Sequence, residues 1–396
     1  MRTIHARTDS SPPLSAPRVA VLVDTSTTWG REIIAGIHNY SRRHGGWHLF
    51  LEAGGAEEVM ALPRGWHGEG IIARVGGVEL ARRLRRQRLP VVNVSGIQLG
   101  GRAFPCVSND VEAVTRLAVD YFLGRGFRHF AYLSIQGLEY VARQRDVFVE
   151  ALSRKGYRCA IHGVRAQTGF QSPHWNLKLD KLGAWLSSLP RPVALFTWSG
   201  GREVIHACQQ AGLRVPEEIA VLNGSEDELL GQSSPIPVSG VQAAGRKIGF
   251  EAASLLDRLM RGGQAPSEPI LIPPISVITR QSTETMAISD RAMISALGFI
   301  RENATRPIQV GDVAARAGLS RRMLERRFAE TLGRSPAAHI GKVRLDRVKA
   351  LLVETDLSMN DVAESCGFCS PEYMTSVFRK ELHTSPLRYR REVRGR

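Results

Sequence analysis

The sequence predicts two architectures in one chain: a two-lobed α/β part built on doubly wound parallel sheets, then an all-α part with a double helix-turn-helix. Three observations predict this. From Arg18 onward, short apolar runs (VAVLV, WHLFL, GIIARV, PVVNVS) alternate with amphipathic segments such as REIIAGIHNYSRR, the pattern of strands joined by crossover helices. A second such series begins with DVEAVTRLAVDYFLGRG and HFAYLS and runs on through VALFTW and IAVLNG. Finally, one helical motif is used twice, in Asp312 to Gly333 and in Asp361 to His383.

Composition bounds the function. A chain of 396 residues is too long for one ordinary core, and 43% hydrophobic content is globular. The net charge of +15 suggests a polyanionic partner, nucleic acid or a membrane surface. Residues 290–396 carry +7 of it against +8 in the longer remainder, so basic density is highest around the repeated motif. Residues 1–17 hold no continuous apolar stretch; a disordered tail is expected there, with no secretory signal or membrane span, and hence a cytoplasmic protein. The five scattered cysteines fit a reducing compartment. Cys366 and Cys369 form a C-x-x-C, but no second pair or histidine pair completes a zinc site. With no H-E-x-x-H and no phosphate loop either, no cofactor, metal or catalytic residue is expected, and the chain is not read as an enzyme.

The segments VLVDTSTTWGREIIAGI, GFRHFAYLS, VPEEIAVLNGSEDE and AAGRKIGFEAASLLDRLMRGG, closed by LIPPISVITRQST, occur in an order that resembles the LacI-type regulators and periplasmic sugar-binding proteins over residues 18–283. The resemblance implies a periplasmic-binding-protein-like sensor with Val19 to about Cys106 in lobe one and Val107 to about Pro237 in lobe two, the chain then returning to complete lobe one. Ligands of open α/β sheets bind beyond the carboxyl ends of strands, which makes Asp24, Trp29, Arg31, Gln144, Trp198, Asn223 and Ser225 the candidates. Trp29 and Trp198 are suited to stack on a sugar face; alternatively each fills a lobe interface. The chain departs from the family where an arginine is usual and Gln144 stands, and where Trp198 and Ser225 replace acidic or amide residues. A pentose or another small carbohydrate is the leading effector class.

After a linker at 284–289 comes the segment 290–396. In its first motif Val313, Ala314 and Ala317 form an apolar face, Gly318 permits a tight turn, and Ser320 caps the next helix. Leu324, Phe328 and Leu332 anchor that helix, leaving Arg321, Arg322, Glu325 and Arg326 to face DNA. Asp361, Val362, Ala363 and Gly367 repeat the first half of the motif, and Ser370, Met374, Phe378 and Leu382 the second, with Glu372, Tyr373, Thr375, Ser376 and Arg379 facing out. Between them a helix over Pro336 to Glu354 would be roughly 28 Å long, near the ~34 Å between successive major-groove faces. The stretches SRRMLERRF, VRLDRVKALL and CGFCSPEYMTSVFRKELHTSPLRYRR resemble the AraC/XylS class of DNA-binding domain. That resemblance implies a homodimeric, operator-binding activator of transcription that works with RNA polymerase and without a membrane. A carbohydrate-binding or transport component and a carbohydrate-processing enzyme are the alternatives, and two DNA-reading motifs argue against both.

Overall fold

The computed structural model describes residues 16–52, 54, 62, 65–97, 104–137, 139–165, 179–285 and 290–394. Most of the tail expected at 1–17, and residues 286–289 of the expected linker, lie outside the described residues. The VAVLV run forms β1 (Arg18–Leu22), the axis of the first lobe. Around it β2 (His48–Leu51), β3 (Gly70–Ala73) and β4 (Val91–Asn93) complete a parallel sheet of order β2-β1-β3-β4. Val19 and Val21 pack on one face with α1 (Thr28–Arg43) and α8 (Gly245–Met260); Ala20 and Leu22 pack on the other with α2 (Val78–Arg86). Burial on both faces is why β1, β3 and β4 read as unbroken apolar runs, while the edge strand β2 stays partly exposed.

The second lobe is a six-stranded sheet of order β12-β10-β9-β8-β6-β7, made of β6 (His129–Gln136), β7 (Cys159–Arg165), β8 (Val193–Thr197), β9 (Ile219–Asn223), β10 (Ser239–Gln242) and β12 (Ser276–Ile278). All its pairs are parallel except β10 with β12. Its helices are α3 (Val111–Leu123), α4 (Glu139–Ser153), α5 (Leu179–Ser188), α6 (Gly201–Gln210) and the short α7 (Glu228–Gln232). The return path differs from the expected division at Val107 and Pro237. Strand β5 (Val107–Asn109) pairs with β11 (Ile270–Ile272), and Val107 packs in the first lobe's core, whereas β10 and β12 join the second sheet. A strand of three or four apolar residues fits the edge of either sheet, so hydrophobic pattern alone does not assign it.

The last part of the chain is helical: α9 (Arg291–Asn303), α10 (Val310–Ala317), α11 (Arg321–Leu332), α12 (Pro336–Glu354), α13 (Met359–Ser365), α14 (Pro371–Leu382) and α15 (Pro386–Val393). Asp290 caps α9 through the Ala292 and Met293 N–H groups and pairs with Arg327 of α11 at 2.5 Å. Helix α12 serves two cores. Ile340 packs with Met293, Leu297, Val313, Leu324 and Phe328, while Leu345, Val348 and Leu352 pack with Val362, Met374 and Phe378.

Candidate functional site

Each helix-turn-helix is built by local chemistry that the sequence spells out. In the first, Asp312 closes a capping box with Gln309, Gly318 ends α10 in the left-handed region at φ 65°, and the Ser320 hydroxyl accepts the Met323 N–H. Leu324 and Phe328 are fully buried, so Arg321, Arg322, Glu325 and Arg326 are left exposed. The four are not equivalent. Arg321 pairs with Glu325 at 3.0 Å, and Arg326 leans on Glu330 at 3.8 Å and on the Met323 sulfur, whereas Arg322 carries no partner among the described residues.

The second motif repeats this construction with Ser358 and Asp361 as the capping box, Gly367 at φ 74°, and Ser370 accepting the Tyr373 N–H. A side chain at Gly367 would also meet the Ala304 carbonyl, at 2.6 Å, so the turn admits only glycine on two counts. Arg344 of α12 binds the same loop by donating to the Ala304 and Arg306 carbonyls. Glu372, Tyr373, Ser376 and Arg379 are exposed and Thr375 is half-buried. Glu372 turns back: hydrogen bonds to its own backbone N–H and to Ser370 hold its carboxyl below the usual range. Cys366 is buried, and burial pushes its thiol up to about 11. Among the described residues no group of His, Cys, Asp or Glu is placed to hold a metal ion.

The duplication extends past the paired residues read from the sequence. Gly333 and His383 both end their helices in the left-handed region, Ser335 and Ser385 both cap the next helix, and Pro336 and Pro386 both occupy its first turn. One turn on, the His339 ring sits 5.9 Å from Phe328 and the Tyr389 ring 5.3 Å from Phe378, both edge-on. Burial, aided by the charges of Arg334 and Lys342, lowers the His339 pKa to about 4. The unfolded chain, with histidine near ~6.5, therefore takes up this proton first. Stability should be full above about pH 6.5 and decline as pH falls from there towards about 4. Thermal melts across that range should show the slope, and His339→Phe should flatten it; an unchanged slope in a folded variant would remove His339 as the cause.

The sensor candidates gather where the strands of the two lobes end. Asp24, at 1% exposure, follows β1 and accepts from Thr27 and from Arg74, each at 2.7 Å. The Arg74 guanidinium lies over the Trp29 ring, 5.4 Å from its centroid. From the other lobe, Trp198 after β8 meets Tyr140 edge-on at 5.0 Å. Burial raises the Tyr140 pKa, and the charge of first-lobe Arg74 opposes that shift. Gln144 is fully buried on α4, accepts from Tyr132 at 2.7 Å, and lays its amide nitrogen against Gly224, where any side chain would collide. Asn223 holds the start of α6 by accepting the Gly201 N–H, and Ser225 donates its N–H to the Trp198 carbonyl. Arg31 stands apart from this group, exposed and bonded to the Thr25 carbonyl and the Thr28 hydroxyl. Sequence reasoning missed Arg74, Tyr140 and Asp227; the last accepts the Thr28 N–H at 2.9 Å and so bridges the lobes. Arg74 directly follows the GIIA strand, and the strand-end rule applied there would have found it.

The helical domain rests on both lobes. Its first unit meets lobe two where Arg128 donates to the Thr331 carbonyl of α11 at 2.6 Å. Its second meets lobe one: Lys247 of α8 pairs with Glu392 of α15 at 3.5 Å, Asn39 of α1 donates to the Arg394 carbonyl, and Val353, Tyr389 and Val393 pack on the first lobe's core. A cavity of about 970 Å³ lies at this junction, lined by Trp29, His38 and Arg246 of the first lobe, Glu226 and Arg280 beside the second sheet, and Val353 and Arg394 of the helical domain. Among the described residues no helix is long and apolar enough to cross a membrane.

Three family models match successive parts of the chain: a XylR N-terminal domain over 18–111, a periplasmic binding protein-like domain over 119–283, and a helix-turn-helix domain over 313–392. The xylose operon regulatory protein of Escherichia coli K12 is 29% identical over 94% of this chain and 96% of its own length. That of Haemophilus influenzae is also 29% identical, over 94% and 98%. The solved structure of a xylose-binding transcription activator superposes with a TM-score of 0.61 at 27% identity, covering 95% of this chain and 98% of that one. A LacI-type protein from Alkaliphilus metalliredigens shares the fold of the sensor, with a TM-score of 0.52 at 15% identity over 68% of this chain and 99% of that one. Two DNA-reading units on one helix, a two-lobed α/β sensor ahead of them and end-to-end relatives of the same build converge: the chain is a helix-turn-helix transcription regulator with a periplasmic-binding-protein-like sensor, similar along its length to the xylose operon regulators.

Proposed function

We propose that the chain is a sugar-responsive activator that binds its operator as a homodimer in the cytoplasm and works with RNA polymerase. In this reading residues 18–283 sense, 284–289 connect and 290–396 read DNA. Exposed groups of α11 and α14, led by Arg322 and Arg379, contact bases and phosphates, with Ser320 and Ser370 presenting the two helix starts. Asp24, Trp29, Gln144, Trp198, Asn223 and Ser225, joined by Arg74 and Tyr140, form the effector pocket, and Arg31 lies at its rim. A small carbohydrate is the effector class, as the names of the xylose operon relatives suggest.

The observation that carries this reading is the seating of the helical domain, one unit on each lobe. A ligand that favours one spacing of the lobes then favours one arrangement of the two DNA-reading units. Couplings of this kind are worth about 1–3 kcal/mol, or about 5- to 150-fold in affinity. Operator binding by the full chain should change by a factor in that range when neutral and acidic monosaccharides are screened. Lys247→Glu, which sets two carboxylates face to face on α8 and α15, should shrink that factor. If no small carbohydrate alters operator affinity, the sensor reading is wrong.

A further inference from the structure

Among the described residues, the carboxylates and the Asn223 amide oxygen at the cleft are already engaged, while several donors are not. Asp24 already accepts from Arg74, Thr27 and Ser26, and Asp227 from the Thr28 and Leu230 N–H groups. Glu226 is held by the half-buried Arg280 at 2.6 Å, and the Asn223 oxygen by the Gly201 N–H. Against these stand the Gln144 amide nitrogen, in a fully buried side chain, and the buried Trp29 indole N–H, neither of which has an acceptor. Arg74 uses one amino group on Asp24, and its remaining donors have no partner among the described residues. Tyr140 and Gln144 lie four residues apart on α4 and so share a face, and the Gln144 amide lies against Gly224, three residues before the Asp227 that receives the Thr28 N–H beside Trp29 and its Arg74.

Neutral and acidic sugars both bring hydroxyls that need acceptors; what distinguishes the acid is a carboxylate, which only accepts, suits unpaired donors and matches a guanidinium. We infer that the effector is an acidic monosaccharide, an aldonate or a uronate, whose carboxylate is received by Arg74 from the first lobe and Gln144 from the second. The inference rests on the sensor reading above and narrows its ligand class.

Matched pairs test it with the full chain at fixed ionic strength: xylose against xylonate, glucose against glucuronate, galactose against galacturonate, by calorimetry and thermal shift. At least one acid should bind about tenfold or more tightly than its neutral partner. Gln144→Glu, which turns the donor into an acceptor, should abolish that preference, and Gln144→Leu should weaken acid binding if the charged variant does not fold. Neutral sugars binding as well as or better than their acids would overturn the inference and leave the sugar sensor standing. Binding by neither class would overturn both.

Discussion

Inserting about five base pairs between the two groove segments of the operator should abolish simultaneous engagement by one chain, because half a helical turn carries the second segment to the opposite face of the duplex. The rigidity comes from α12. Its 19 residues give roughly 28 Å, its first half is packed into the core under α11 and its second half into the core under α14. Neither recognition helix can swing without breaking its own core. Affinity should fall at least about 100-fold, a part of the ~10³–10⁷ that separates specific from non-specific binding. Restoring the phase with an insertion of about ten base pairs should not rescue it fully, since the helix cannot lengthen. Titrations of the three operators by fluorescence anisotropy would measure this, and equal affinity for all three would defeat the rigid two-groove reading.

The DNA-reading domain was legible in the sequence because its determinants are local. A serine cap, a glycine in the left-handed region and apolar residues at helical spacing act within about a dozen residues, and each was found where the pattern put it, at Ser320, Gly318 and Phe328 and again at Ser370, Gly367 and Phe378. What the pattern hid was the pairing state of the arginines. Arg321, Arg322 and Arg326 look alike in sequence, yet two of them lean on glutamates one turn away and one does not.

The sensor was less legible because its determinants are distant. Asp24 and Arg74 are 50 residues apart, and nothing near either announces the other. Gln144 stands out in the sequence only through the family resemblance, and only the fold shows that Gly224 and Tyr132 enclose its amide. Two of the three strands that follow Pro237 were placed in the wrong lobe for the same reason: β10 and β12 have the right composition for any sheet edge, and only their partners decide, whereas β11 returns to the first lobe as expected. Contacts from the helical domain to both lobes, such as Arg128 with Thr331 and Lys247 with Glu392, left no trace in local pattern.

Phe378→Ala should silence the second DNA-reading unit while sparing the first. Phe378 is fully buried among Val362, Met374, Leu352 and Cys366, with the Tyr389 ring edge-on at 5.3 Å. Truncating such a side chain costs about 3–5 kcal/mol through lost burial and the cavity left behind, a large share of the about 5–15 kcal/mol that holds a typical domain together. The core around Phe328 is a separate cluster, so α10 and α11 should persist, and footprinting should show protection of the first groove segment alone. Phe328→Ala should give the mirror image. The two variants should differ in a further way, because Tyr389 and Val393 also pack on the first lobe's core, and a loosened α15 would release that attachment. Phe378→Ala should therefore bind effector normally yet transmit little of it to the remaining groove contact. Phe328→Ala leaves α15 in place and instead loosens the α11 end that Arg128 holds from the second lobe. Hydrogen exchange of α15 should rise sharply in the first variant only. Equal loss of both groove segments in either variant would mean that the two units fold as one, and α12 would then be a single cooperative spine rather than a bridge between two cores.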